Sequence, residues 1–310
     1  MPAGQPGVLR SRSGLVRLDG ELVHLVDGGS GPAVLFCCGL GQSWFDWDAV
    51  IPLLRGHRLV RLNRPGLGLS PRSARPSTLE VEAARIAAAA DHVSPTAPVT
   101  VVAHSAAALH AEAYARTAPH RVAGLVLVDP SYEPDAVATE QPLRAIETAA
   151  RRADAPLSGL LAAVPVGRLV GPAAMRLGYR LSTARRLAGP DRPGWPRRPD
   201  PVPQALEAVY SSGDTLAAIV AELTGYRGQA VALRAMRAAP FPAVPARVLA
   251  ATYRRTAERA AAWSAATAAL AAELSADHVT LPDAAHLAML DRPDAVAAAV
   301  RAVTDPGSGY

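Results

Sequence analysis

Val99-Thr-Val-Val-Ala-His-Ser-Ala-Ala-Ala-Leu-His110 is the stretch on which the reading of this chain turns. Val99–Ala103 is a short, continuously apolar run, the pattern of a strand buried on both faces. A helical pattern, Ser105–Arg116, follows with almost no gap. A chain that turns that sharply lifts the Ser105 hydroxyl clear of the sheet edge. It also leaves the first N–H groups of the helix free to face a developing negative charge. Crowding at such a turn calls for small residues two positions to either side, and Ala103 and Ala107 stand there. The pentapeptide alone fits a plain helix cap at Ser105 equally well.

On either side of this stretch, strand and helix alternate. Ala33–Cys38, His57–Asn63 and Val122–Val128 read as strands, and Ser77–Val93 as a helix with Ser77 as its cap and Glu80 three residues on. Before them a loose tail of about a dozen residues leads into a hairpin, Gly14–Leu18 and Glu21–Val26, turning at Asp19-Gly20. After Pro130 the pattern breaks. From Pro134 to Val244 no strand is legible, only Ala-, Leu- and Arg-rich helical stretches cut by prolines. Alternation resumes with strand Ala246–Thr252, helix Ala257–Leu274, strand His278–Leu281 and helix Pro293–Val303. The expectation is an α/β protein: a mostly parallel, doubly wound sheet with an N-terminal hairpin. A helical cap at 134–244 would interrupt a core made of 1–133 and 245–310.

Composition narrows the classes. With 310 residues, 50% of them apolar, and a mean hydropathy of +0.12, the chain can bury a large core and is not a disordered type. No apolar run reaches the ~20 residues of a membrane span, and no apolar stretch of a secretory signal follows the first residues. Cys37 and Cys38 are neighbours, ill-suited to pair with each other, and read as free thiols of a reducing cytoplasm. All 32 basic residues are arginine. The run 151–198 holds ten of them against Asp154 and Asp191, a net +8, which leaves −3 for the rest against the total of +5. The basic excess is therefore regional. At 5% aromatic content there is no stacking platform for nucleic acid, which ranks last among partners. The segment Leu160–Arg185 reads as a solvated face or as a weak surface or anion contact.

Two further stretches add chemistry. Leu35-Phe-Cys-Cys-Gly-Leu-Gly-Gln-Ser-Trp-Phe-Asp-Trp47 leaves a buried strand through a glycine-bearing loop. Gly39 lets such a loop approach a pocket, where the N–H of Leu40 could pair with that of Ala106 as two oxyanion donors. Trp44 and Phe45 behind it would line an acyl pocket or pack the core. Among eight histidines, His286 follows the last expected strand on a loop at its carboxyl end, where sites of such sheets are built. His104, adjacent to Ser105, points to the opposite face of its strand and is a poor base for it.

In order and spacing these pieces resemble the α/β-hydrolase superfamily across nearly the whole chain: the loop Cys38-Gly39-Leu40-Gly41, the segment Asn63-Arg-Pro-Gly-Leu-Gly-Leu-Ser70, the turn at Ser105, Leu125-Val-Leu-Val-Asp-Pro130 and the His286 loop. The resemblance implies a serine hydrolase with a helical lid, and departures accompany it. Cys38 stands where a histidine is usual, Asn63 replaces an aspartate, and the turn's glycines are alanines. The loop after Ala246–Thr252, which usually carries the triad acid, has no aspartate. Asp129, one strand after the nucleophile, is the preferred acid by position, and Glu258 the alternative. The activity implied is cleavage of an ester, thioester or lactone-type acyl bond of a small molecule through Ser105, His286 and Asp129, without metal or organic cofactor. Acyl transfer, carbon–carbon bond hydrolysis and non-catalytic ligand binding are the alternatives. Oligomeric state is not legible.

Overall fold

Asp19 and Gly20 both have positive φ, 45° and 83°, the geometry for which an Asp-Gly hairpin turn is selected. In the computed structural model, which describes residues 11–132, 203–253 and 255–304 with isolated positions 171, 173 and 177, this turn joins β1 (Ser11–Leu18) to β2 (Glu21–Gly29). The pairing runs from Leu18–Glu21 out to Ser11–Gly28. Thus Ser11 and Arg12, read from sequence as tail, are strand. They join through backbone bonds on an exposed edge, which need no apolar alternation to mark them.

The sheet has eight strands in the order β1-β2-β4-β3-β5-β6-β7-β8. Beyond the hairpin these are β3 (Ala33–Cys37), β4 (Arg58–Asn63), β5 (Val99–His104), β6 (Val122–Val128), β7 (Ala246–Ala251) and β8 (Asp277–Leu281). Strand β2 is antiparallel to both neighbours, and every pairing from β4 onward is parallel. Alternation along the central strands feeds two cores. Leu35, Val101 and Leu127 face one layer, with helices α1 (Leu79–Val93), α2 (Ala107–Thr117) and the buried Ala230 and Leu233. Val34, Phe36, Val102 and Val126 face the other, against Trp47, Val296 and Val300. Covering on both faces is why these strands are apolar without a break.

Helix α1 starts one residue later than its sequence suggested. Thr78 is the cap, its hydroxyl accepting from the Val81 N–H at 3.4 Å, and Ser77 instead donates to Glu82 at 2.8 Å. Of the expected cap, 134–170, 172, 174–176 and 178–202 lie outside the described residues. Its described part is helical: α3 (Pro203–Tyr210) and α4 (Gly213–Met236). Helix α4 packs on α1 and α2, with Gln229 Oε1 2.7 Å from His110 Nε2. Just beyond its end, Arg237 pairs with the fully buried Glu112 at 2.6 Å. The chain closes with α5 (Ala257–Glu273), a short α6 (Ala288–Asp291) and α7 (Pro293–Thr304). No helix among the described residues is long and apolar enough to cross a membrane.

Candidate active site

The carboxyl ends of the parallel strands gather three of the residues singled out by sequence. Ser105 follows β5 at φ 53°, in the left-handed region, which costs a non-glycine residue about 1–3 kcal/mol and persists only where its surroundings impose it. Here they do. Its N–H donates to the Val128 carbonyl at 3.2 Å, and its carbonyl accepts from Ala108 and Ser131, each at 3.0 Å. Ala103 and Ala107 on either side are wholly buried. One strand over, Asp129 takes the same kind of turn at φ 39°, with its N–H on the Leu249 carbonyl at 2.7 Å.

His286 lies on the loop between β8 and α6 and spans the two. Its Nδ1 is 2.6 Å from Asp129 Oδ2, and its Nε2 is 3.0 Å from Ser105 Oγ. A carboxylate only accepts, so Nδ1 carries the proton and donates to it. In the neutral ring, Nε2 is then left to accept from the Ser105 hydroxyl. Asp129 is fully buried, and its other oxygen accepts from the Ala251 N–H at 3.0 Å and the Trp263 indole N–H at 2.7 Å. Burial opposes its charge, but the His286 contact and these donors outweigh it and hold its pKa below the usual aspartate value. Arg255 lies across the Trp263 ring at 4.8 Å, 3.9 Å from the same carboxylate. Glu258, the alternative acid, is exposed in the first turn of α5.

His104 is engaged elsewhere. Its Nε2 lies 2.7 Å from the His286 carbonyl and its Nδ1 2.8 Å from Gln42 Oε1. Burial above all, and the neighbouring His286 imidazole next, push its pKa down to about 3. As a neutral ring it has a single N–H, which at Nε2 donates to the His286 carbonyl and so supports the loop that carries His286. Gly39 approaches from the opposite side. A Cβ there would come within 2.7 Å of both His104 Nδ1 and Gln42 Oε1 and 3.1 Å of the Ser105 Cβ, so only glycine brings this loop against the serine. Its N–H donates to Gln42 Oε1 at 2.6 Å. Leu40 is half-buried just beyond it, and Ala106 stands at the N-cap of α2, ahead of the helix's own hydrogen-bond ladder.

Trp44 is half-buried, its ring edge-on to His24 at 4.8 Å and to Phe45 at 5.1 Å. Phe45 is buried within the second core and meets the Tyr210 ring of α3 at 6.2 Å. The Tyr210 hydroxyl donates to the Gly41 carbonyl at 3.0 Å. Cys37 and Cys38 are buried free thiols, and burial pushes the Cys37 thiol up to about 12, leaving it inert. Among the described residues no group of three His, Cys, Asp or Glu side chains could hold a metal ion. Apart from the isolated positions 171, 173 and 177, the arginine-rich run 151–198 lies outside the described residues.

The family model of the alpha/beta hydrolase fold matches residues 32–293. The chain belongs to the alpha/beta hydrolase fold family. Among solved structures, this chain is similar to the Cif epoxide hydrolase from Acinetobacter nosocomialis, at a TM-score of 0.70 and 18% identity over 94% of this chain and 88% of that one. It is also similar to a thermophilic esterase from Thermogutta terrifontis, at 0.64 and 21% over 94% and 97%, and to the enol-lactonase from Burkholderia xenovorans, at 0.62 and 18% over 94% and 99%. A curated relative, the bifunctional epoxide hydrolase 2 of Sus scrofa, is 43% identical over 53 residues, which are 16% of this chain and 10% of that protein. The chain thus spans only a small part of the length of such relatives.

Sequence reasoning did not find the Trp263 and Ala251 donors to Asp129 or the Gln42–His104–His286 connection. A tryptophan within an Ala-rich helix carries no sign of its partner, and a backbone N–H carries none at all.

Proposed function

We propose that this hydrolase is a serine hydrolase cleaving an ester, thioester or lactone-type acyl bond through an acyl-enzyme. The observation that carries the reading is the unbroken chain of contacts from Ser105 Oγ through His286 to the buried Asp129, at 3.0 and 2.6 Å. In the proposed step, the Ser105 oxygen adds to the acyl carbonyl as its proton passes to His286 Nε2. Asp129 stabilises the imidazolium that results, and the N–H groups of Leu40 and Ala106 hold the oxyanion. His286 returns the proton to the leaving group, and the half-reaction repeats with water.

Epoxide hydrolases among the similar proteins raise a second chemistry. A serine oxygen that opens an epoxide forms an alkyl ether, which water does not cleave, so turnover would stop at the first event. An acyl ester of serine is cleaved by the same machinery that made it. The hydroxyl at Ser105 therefore favours acyl substrates. The two buried, free thiols fit a reducing, cytoplasmic setting. The division into core at 1–133 and 245–310 and cap at 134–244 belongs to the same proposal.

The test is hydrolysis of p-nitrophenyl esters of graded chain length by wild type and Ser105→Ala. Wild-type turnover lost in the variant is expected. Equal turnover by both, or none by a folded wild type across the series and with thioester and lactone probes, would overturn the reading.

A further inference from the structure

Arg64 follows β4 directly and has a nearly buried side chain, 6% exposed. All three faces of its guanidinium are occupied. Nη1–H donates to the Cys38 carbonyl, Nη2–H to the Gly39 carbonyl at 2.9 Å, and Nε–H to Glu222 Oε1 at 2.5 Å. Glu222, 10% exposed, comes from α4, 158 residues further along the chain. Its second oxygen accepts from the Gly41 N–H at 3.0 Å. Burial disfavours the Arg64 charge, but the Glu222 carboxylate more than offsets this and holds its pKa above the usual arginine value.

The Gly39 carbonyl and the Leu40 N–H belong to one peptide unit. That unit is planar and trans, since the described chain has no cis peptide bond, so its oxygen and hydrogen point in opposite directions. Arg64 and the Gln42 N–H, 3.2 Å from the same oxygen, therefore fix where the Leu40 N–H aims. A cation on the carbonyl also polarises the unit and strengthens its N–H as a donor. Glu222 holds the guanidinium by one oxygen and the next peptide unit, at Gly41, by the other. Gly41 has φ 67°, and a Cβ there would press on Ile219 of α4 at 3.1 Å, so the loop lies directly against that helix.

We infer that Arg64 and Glu222 are positioning residues for the oxyanion donor at Leu40, so that helix α4 sets the rate of acyl transfer without touching the substrate. This rests on the serine hydrolase reading of the same site. Misaiming a donor matters where charge develops, in the tetrahedral state, and little in the ground-state complex.

The experiment compares wild type with Glu222→Gln, Arg64→Lys and the paired Arg64→Met/Glu222→Leu. The paired change removes both buried charges together and so avoids stranding one of them. Each folded variant is measured for kcat and KM on a p-nitrophenyl ester. Each is also measured for affinity toward an aryl trifluoromethyl ketone, which adds reversibly to the serine and leaves a charged oxygen. Expected is a fall in kcat of about tenfold for Glu222→Gln and more for the others, less than the loss of a whole donor. KM should stay within about twofold, and ketone affinity should fall by the same factor as kcat/KM. A wild type that neither turns over nor labels at Ser105 with a fluorophosphonate overturns the site reading and this inference with it. Wild-type activity with kcat and ketone affinity retained within twofold in the variants overturns this inference alone. So does a rise in KM that accounts for the whole loss, which would make the pair binding residues.

Discussion

At the scale of single residues, Asn63 shows how a departure from a family's pattern can be required by its surroundings. Its side-chain oxygen accepts from the Ser43 hydroxyl at 3.1 Å and the Trp44 N–H at 2.9 Å. Its amide nitrogen lies 3.0 Å from His24 Nδ1 and donates to the His24 carbonyl at 3.2 Å. An aspartate could accept the first pair but not donate to the second. Asn63→Asp is therefore expected to lose roughly 1–3 kcal/mol at pH 8, the cost of a buried acceptor facing acceptors. His24, whose pKa burial and Arg61 push down to about 4, would titrate higher beside the new carboxylate, and the loss should shrink at pH 5. Urea denaturation at both pH values reads this, and a loss independent of pH would contradict it. Asp129 and Glu258 differ as sharply. Asp129→Asn removes the acceptor that fixes the His286 tautomer and should lower kcat by about 10³–10⁴, while Glu258→Gln should change it less than twofold. The reverse ranking in steady-state kinetics would assign the acid to Glu258. Sequence alone could rank these two only by loop position, because the Trp263 and Ala251 donors that hold the Asp129 carboxylate come from distant, unmarked positions.

At the scale of elements, strands were the most legible. Apolar runs such as Ala33–Cys37 and Val122–Val128 are what burial on both faces demands; the first strand stops one residue short of the Cys38 expected from sequence, and the second lies between the polar Arg121 and Asp129. The helix starts were less so. Ser77 and Thr78 can each cap α1, and only the backbone path decides for Thr78. Thr78→Ala should cost about 1 kcal/mol, toward the lower end of cap losses since its contact is long at 3.4 Å. Ser77→Ala should instead disturb the Glu82 contact. Denaturation midpoints with unchanged m-values test this, and no loss of stability in Thr78→Ala would contradict the cap assignment. The Arg64–Glu222 pair joins elements too far apart in sequence for any spacing rule to have suggested it.

For the whole molecule, strand–helix alternation was enough to read a doubly wound, mostly parallel sheet, and its order then brings the ends of β5, β6 and β8 to one edge. The ordering of β3 and β4 across β2 was not legible, because pairing partners are chosen by packing rather than by sequence proximity. The same packing buries His24 and His104 as neutral rings, with pKa values about 4 and about 3 against an ordinary 6.5. Below 6.5 the unfolded chain binds protons that the native one refuses, so stability rises with pH across this window and falls on acidification. The lowered Asp129 adds a loss of the same sign as pH drops through its own titration. Stability by urea denaturation should thus decline steadily from pH 7 to pH 4, and less steeply in His104→Gln. A flat profile would show that neither ring is held neutral.

Ser105 as an activated nucleophile served by His286 and Asp129 is put to the test by fluorophosphonate labelling read by peptide mass spectrometry. One adduct is expected, on Ser105, formed rapidly by wild type, orders of magnitude more slowly by Asp129→Asn and His286→Ala, and not at all by Ser105→Ala. A folded wild type that takes no label, or that takes it on a residue other than Ser105, would contradict it.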